Sequence, residues 1–199
     1  MTNTWLILFF SALIWSGIHP KDYPTWLLET APAIIGFIIL ATTRRHFQLT
    51  ALAYGLILIH SIILMIGGHY TYAEVPLFDW LKDVFNLERN NYDKLGHFAQ
   101  GFIPAIIARE IIVRNEVVKG AHWLNFFIIC ICLAISAIYE LIEWLVAILS
   151  GKAADTFLGT QGYIWDTQSD MAYALCGAIL AIPLLSRWHD QQINKLRHR

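Results

Sequence analysis

The chain has 199 residues, of which 57% are hydrophobic and 15% charged, whereas an ordinary soluble domain carries about 25% charged residues. Apolar residues in this proportion exceed what one soluble core can bury, and a lipid bilayer is the solvent that accommodates them. The net charge of −1, with basic residues scattered over short segments, argues against a nucleic-acid partner. Cys130, Cys132 and Cys176 lie in apolar runs and are interpreted as small buried hydrophobic residues, without a disulfide or zinc role.

Six apolar segments, most of them close to the roughly 20 residues that cross a bilayer, predict an all-α membrane protein. The expected fold is a polytopic bundle of about six transmembrane helices in one domain, 1–199, since no repeat or linker divides the chain. The predicted helices lie at about residues 4–19, 25–42, 47–67, 92–114, 122–149 and 167–188. Gly67 and Gly68 are interpreted as the stop signal of the third helix.

One polar segment, 69–91, is long and mixes aromatic with acidic residues. It predicts an outer loop with a short interfacial helix around 78–85. The segment 189–199 is polar and basic and is interpreted as a tail.

The lysines and arginines are distributed unequally between the two sides of such a bundle. With six crossings, one side holds nine of them: Arg44, Arg45, Arg109, Arg114, Lys119, Arg187, Lys195, Arg197 and Arg199. The other side holds five: Lys21, Lys82, Arg89, Lys94 and Lys152. The positive-inside rule then places both termini in the cytoplasm.

Three pairs of ionisable residues on the last three helices approach the opposite, periplasmic face. The pairs are Asp93 with His97, Glu140 with Glu143, and Asp166 with Asp170. A spacing of three or four places both members on one helix face. Because such groups are costly to bury unpaired, we expect them to face the bundle interior, pair with cations or bind a metal.

Two interpretations of these pairs stay open. The functional one makes all six residues acid/base groups or ligands, with a divalent metal ion held by Asp93, His97, Glu143 and Asp170. The structural one is a hydrogen-bonded polar cluster that fixes the outer ends of three helices, with Lys94 and Tyr139 among its partners.

Asp166 and four other polar residues have simpler interpretations. Asp166 is also a natural cap of the sixth helix. Arg109 and Glu110 end the fourth helix, where a helix-end interaction and a headgroup contact explain them. Glu29 either joins the cluster or extends to water. His60 is a lone histidine in an apolar run and is interpreted as a hydrogen-bonded core residue.

These motifs resemble those of the YjdF-type family of uncharacterised bacterial inner-membrane proteins, over nearly the whole chain. The stretches that carry the likeness are Tyr92-Asp93-Lys94-Leu95-Gly96-His97-Phe98-Ala99-Gln100-Gly101, Arg109-Glu110, Tyr139-Glu140-Leu141-Ile142-Glu143-Trp144, and Leu158-Gly159-Thr160-Gln161-Gly162 through Trp165-Asp166 to Asp170-Met171. The resemblance implies a multi-pass inner-membrane protein and brings no activity with it.

The chain is also similar to VanZ-like membrane proteins, at fewer positions. Asp93, Lys94, His97 and Phe98 match an Asp-Lys-x-x-His-Phe element, Glu140 and Glu143 approximate a Glu-x-x-Gln element, and Asp170 precedes the small residues Ala174 and Gly177. Glu143 stands where that pattern has glutamine, so a glycopeptide-resistance role is not carried over.

Three functions compete on the sequence. The first is an outward-facing enzyme or metal site acting on a lipid or envelope substrate. The second is a transporter or proton-coupled carrier, which the lack of an inverted repeat disfavours. The third is a non-catalytic interaction protein that uses 69–91 as a docking surface. No serine elbow, phosphate loop or kinase signature identifies a substrate, and the lipid bilayer is the one partner that the sequence implies.

Overall fold

A computed structural model describes residues 2–150 and 163–197, and within them the secondary structure is entirely helical. Its helices are α1 (Asn3–Gly17), α2 (Tyr23–Thr43), α3 (Ala51–Tyr70), α4 (Pro76–Phe85), α5 (Tyr92–Arg114), α6 (Ala121–Ser150) and α7 (Asp166–Arg197). The predicted all-α class is confirmed for these residues. The predicted motif at Gly159, Gln161 and Gly162 lies outside them.

Four of the described helices, α2, α3, α6 and α7, are long and apolar enough to cross a membrane. Helix α1 has 15 residues, a length of about 22 Å at 1.5 Å per residue, which is less than the hydrocarbon thickness of about 30 Å. Helix α5 carries five charged residues, Asp93, Lys94, Arg109, Glu110 and Arg114. The multi-pass character is therefore supported, and the count of six crossings stays a prediction.

Helix α5 lies at the centre of the bundle, packed against α3, α6 and α7. More than half of its 23 residues are buried. Its contact with α7 is close because glycines leave room for backbone: a Cβ at Gly101 would overlap the carbonyl oxygen of Ala174, and one at Gly177 would overlap that of Phe98. Small residues at a membrane helix interface allow this approach, which brings the polar ends of α5 and α7 together.

A separate apolar core joins α1, α2 and α3. The rings of Phe9 and Phe37 stack with their centroids 5.0 Å apart. Trp5 Nε1 donates a hydrogen bond of 2.8 Å to the Tyr54 carbonyl. These contacts fix α1 and α2 against α3, and so fix the helix face that carries Glu29.

The third helix differs from its prediction at both ends. It begins at Ala51 because the Thr50 hydroxyl accepts a hydrogen bond from the Ala53 amide and caps it. It continues through Gly67 and Gly68 to Tyr70, so the prediction that these glycines end the helix is wrong. They are needed for close packing instead, since a Cβ at Gly67 would overlap the ring of Tyr72.

The last helix is longer than predicted, ending at Arg197 instead of 188. The interpretation of 189–199 as a free tail is wrong for its first part, because His189 and Ile193 are buried. The cysteine prediction holds for Cys132, whereas Cys130 and Cys176 are exposed on the outer surface of apolar helices.

The short helix predicted within 69–91 is confirmed as α4. Leu77, Trp80 and Val84 are exposed along one side of it, at spacings of three and four residues that share a helix face. An exposed apolar face on a short helix is typical of a segment that lies in a membrane interface.

Replacing Gly101 with alanine is expected to destabilise the protein by about 2 kcal/mol through overpacking, although alanine favours a helix by about 1 kcal/mol over glycine. The added methyl group would overlap the Ala174 carbonyl. Thermal unfolding of the purified protein in detergent measures the effect. The control is Gly55→Ala, whose Cβ meets open space and which is expected to leave the melting temperature unchanged or higher. Equal melting temperatures for the two variants would contradict the close α5–α7 packing.

Candidate functional site

Polar side chains from four helices meet at one end of the bundle. Helix α5 begins there, α6 ends there and α7 begins there, since successive helices run in opposite directions. We call this group the acidic cluster: Glu29, Arg89, Asp93, Lys94, His97, Tyr139, Glu140, Glu143, Asp166 and Asp170.

Lys94 is the link between α5 and α7. Its Nζ lies 2.5 Å from Asp166 Oδ1 and 2.6 Å from Asp170 Oδ1, and 3.4 Å from Asp93 Oδ2. Arg89 Nη1 adds a second cation at 2.9 Å from Asp166 Oδ1. Lys94 is buried, and a buried ammonium is tolerated only with such partners. Asp166 therefore pairs with cations from α5 and the segment before it, beyond the capping role that its position suggests.

His97 lies where three of the helices contribute carboxylates. Its Nε2 is 3.4 Å from Asp93 Oδ1 and 3.8 Å from Asp170 Oδ1. Its Nδ1 is 3.7 Å from Glu140 Oε1 and 3.2 Å from Gln100 Oε1. Glu140 Oε1 is itself buried and has no hydrogen-bond partner among the described residues. The imidazole is thus held between acidic groups on both nitrogens.

A cavity of about 140 Å³ opens beside His97. Its polar lining comes from Glu29, Tyr72, Asp93, His97, Gln100, Tyr139 and Glu143, together with His60 at its deeper end. The Tyr139 hydroxyl donates a hydrogen bond of 3.0 Å to Glu29 Oε2, so Glu29 joins the cluster. Burial raises the pKa of Tyr72, in the turn after α3, well above its usual range, so its hydroxyl stays protonated and available as a donor.

The site residues predicted from the sequence differ in where they lie relative to this cavity. The structure brings Asp93, His97 and Asp170 together, with one possible donor atom of each within 4.8 Å of the others. Glu143, the fourth predicted metal ligand, lies outside this donor group and lines the cavity wall. Glu140 contacts His97.

Carboxyl groups outnumber cations in the acidic cluster. Its six carboxyl groups, from Glu29, Asp93, Glu140, Glu143, Asp166 and Asp170, face two permanently charged side chains, Arg89 and Lys94. Neighbouring carboxylates cannot all be ionised at low dielectric without compensation. Bound protons, a protonated His97 or a bound cation would each offset this excess among the described residues.

Lys94 and Arg89 lie at the centre of the acidic cluster, a position that was not predicted from the sequence. The sequence interpretation treats Lys94 as one hydrogen-bond partner among several. The sequence shows that Lys94 and Asp166 both lie at the start of a helix at the same end of the bundle, but it does not show which helix faces meet there.

A second buried network occupies the opposite end of the bundle. Glu110 is fully buried and accepts hydrogen bonds from the Thr50 amide at 2.8 Å and from Arg114 at 2.9 Å. Its other oxygen lies 3.0 Å from His189 Nε2, and Arg109 donates to Asp190 at 2.7 Å. The interpretation of Glu110 as a headgroup contact is wrong, since this network joins the start of α3 to α5 and α7.

Comparison with known proteins identifies the family. The family described as "Predicted membrane protein (DUF2238)" matches residues 1–191. The chain belongs to this family. It is also 50% identical over 193 residues to the inner membrane protein YjdF of Escherichia coli (strain K12), which covers 97% of this chain and 92% of the relative. No solved structure matches the chain.

Membership in the DUF2238 family confirms the YjdF-type resemblance seen in the sequence. The comparisons do not show the likeness to VanZ-like proteins. With its apolar helices, the chain is accordingly a helical, multi-pass protein of the inner membrane.

Removing the Lys94 charge, as Lys94→Met, is expected to lower the free energy of unfolding by about 3 to 5 kcal/mol, since it leaves buried carboxylates without their cation. The matched control is Lys21→Met, because Lys21 pairs with Glu74 at an exposed site, where an ion pair contributes less than about 1 kcal/mol. Thermal unfolding in detergent compares the two. Equal losses of stability would show that Lys94 does not hold α5 to α7.

Proposed function

We propose that this protein is a membrane enzyme whose acidic cluster performs acid/base chemistry on a lipid or envelope substrate at the periplasmic side of the inner membrane. The observation that carries the proposal is His97, held between Asp93 and Glu140 beside a cavity of about 140 Å³. A lipid is the substrate class that reaches such a cavity directly, because the cavity lies among membrane helices.

The contacts of His97 match what an acid/base group requires. A histidine exchanges protons near neutral pH, and a carboxylate on one ring nitrogen orients the ring and stabilises its charged form. Asp93 is the nearer carboxylate at 3.4 Å and takes this positioning role. Glu29 and Glu143, on the cavity wall, are the groups available to hold a polar head or to donate a proton to a leaving group.

A divalent metal ion is the refinement that the charge balance supports. Asp93, His97 and Asp170 offer oxygen and nitrogen donors within 4.8 Å of one another, a ligand set that divalent metals accept. Such an ion would offset the excess of carboxylates and would polarise a substrate oxygen or a water molecule.

Lipid analysis of cells tests the enzyme proposal. In a strain without the gene, we expect a change in the membrane lipid profile by mass spectrometry, restored by the wild-type protein and not by His97→Gln or Asp93→Asn. The matched controls are His122→Gln and Asp83→Asn, both at exposed positions, which should restore the profile fully. If His97→Gln restored the profile as well as wild type, the acid/base proposal would fall.

Metal content of the same purified variants separates the two chemistries. A divalent metal in the wild-type protein and in His122→Gln, reduced in His97→Gln, supports the metal refinement. Wild-type protein without metal, together with an altered lipid profile in the His97→Gln strain, favours acid/base chemistry by the side chains alone.

We propose further that both termini lie in the cytoplasm, so that the acidic cluster faces the periplasm. With six crossings, nine of the 14 lysines and arginines would lie on the side that carries the termini, and basic residues favour the cytoplasmic side. With α2, α3, α5, α6 and α7 as crossings, the start of α5 and the segment between α2 and α3 would lie on opposite sides of the membrane.

Cysteine labelling in intact cells tests this orientation. In a variant with Cys130, Cys132 and Cys176 replaced by alanine, a membrane-impermeant maleimide applied to spheroplasts should label Asp83→Cys. Glu116→Cys, at a side chain that is 82% exposed, should react only after the membrane is permeabilised. The reverse pattern would place the acidic cluster in the cytoplasm.

A further inference from the structure

A larger cavity, of about 490 Å³, lies between α2, α3 and α5. Its walls are formed mainly by aliphatic side chains such as Leu40, Ile57, Leu64, Ile103 and Ile107. We call it the apolar slot. Such walls offer no favourable contacts to water or ions. Hydrocarbon can occupy the slot without a free-energy cost of desolvation, and hydrocarbon surrounds these helices in a bilayer.

The apolar slot continues the cavity of the acidic cluster. Three residues, Pro32, His60 and Leu64, line both cavities, so the two meet at this level. From there the slot follows α2 to Thr43 and α5 to Asn115. Between Pro32, which lines both cavities, and Thr43, α2 rises by about 17 Å at 1.5 Å per residue, a length that suits an extended hydrocarbon chain.

His60 stands at the boundary between the polar and the apolar part. Its Nε2 is buried and has no hydrogen-bond partner among the described residues, so its interpretation as a hydrogen-bonded core residue is wrong for this nitrogen. A buried polar atom without a partner is unfavourable, so a hydrogen bond from a bound ligand would stabilise it. In a lipid, the ester or hydroxyl group lies at the same boundary, between the polar head and the chain, and can bond this nitrogen.

We propose that the apolar slot binds the hydrocarbon chain of a membrane lipid, with His60 bonding the polar linkage and the lipid head at the acidic cluster. A hydrocarbon chain is the occupant that fits, because the slot is lined mainly by aliphatic side chains and joins the polar cavity at His60, and a lipid combines a hydrocarbon chain with a polar linkage at its end. That the bound lipid is a substrate rests on the proposed function, while chain binding itself is a separate property with its own test.

Photo-crosslinking locates the chain. The wild-type protein is reconstituted into vesicles of phosphatidylethanolamine and phosphatidylglycerol that contain a phospholipid with a diazirine near the end of one acyl chain. After illumination, mass spectrometry of peptides is expected to find labels in 57–64 and 103–111. Labels confined to peptides of the outer surface, such as 126–148, would overturn the proposal without any variant.

A variant that fills the slot with a side chain can be compared with a matched variant outside the slot. Gly36 lines the slot and a Cβ there meets no atom within 4 Å, so Gly36→Phe should place its ring in the space of the chain. We expect the label in 57–64 and 103–111 to fall roughly tenfold, equivalent to about 1.4 kcal/mol of binding. Gly55→Phe, also in open space and outside the slot, should leave the label unchanged. Equal labelling of both variants would show bulk lipid contact only, and would overturn the proposal.

The crosslinking and lipid-profile experiments together distinguish the binding of a hydrocarbon chain from the proposed enzyme activity. One result is that Gly36→Phe abolishes labelling of the slot while His97→Gln restores the lipid profile of cells. This result would establish the binding site for the hydrocarbon chain and would contradict the enzyme proposal. The other result is that the slot is not labelled while His97→Gln fails to restore the lipid profile. This result would contradict the proposed binding of the hydrocarbon chain and would leave the enzyme proposal intact.

Discussion

The Lys94 ammonium between Asp166 and Asp170 is the contact on which the rest of this bundle depends. A charge in hydrocarbon must be paired or moved to the interface, and α5 carries five charged residues. Enclosing α5 among α3, α6 and α7 removes these charges from lipid and gives each end of the helix buried partners. At one end the partner is α7 through Lys94; at the other it is α7 again, through the bond between Glu110 and His189.

Between these two polar ends, the α5–α7 interface is built from small residues. Gly101 and Gly177 each face backbone of the opposite helix, and Ala174, Ala178 and Ala181 are fully buried. Such an interface allows close approach of the two helices. Small apolar side chains make few specific contacts, so they do little to fix how far one helix is shifted along the other. The ion pairs supply the register, and the register in turn sets the distances among Asp93, His97 and Asp170. The chemistry of the cluster is therefore coupled to the packing of the whole helix pair.

Helical periodicity was enough to predict most of the fold. The apolar runs gave the helices, and the spacing of Asp93 from His97 placed both on one face, because these features depend on one helix at a time. Which face of α5 meets which face of α7 depends on two helices together, so the position of Lys94 could not be predicted in the same way. The same limit explains Glu110 and His189: composition suggested a headgroup contact and a tail, whereas burial against a neighbouring helix decides both.

The two polar ends of the bundle provide an internal comparison that bears on function. At the Glu110 end, the carboxylates of Glu110 and Asp190 are matched by the guanidinium groups of Arg109 and Arg114, as a structural lock requires. At the other end, among the described residues, the two cations of the acidic cluster face its six carboxyl groups beside a cavity. Selection for stability alone favours balanced charges, because each unbalanced buried carboxylate weakens the fold. The two ends therefore differ in charge balance, and the acidic cluster is the end that the binding of protons, a cation or a polar head would stabilise.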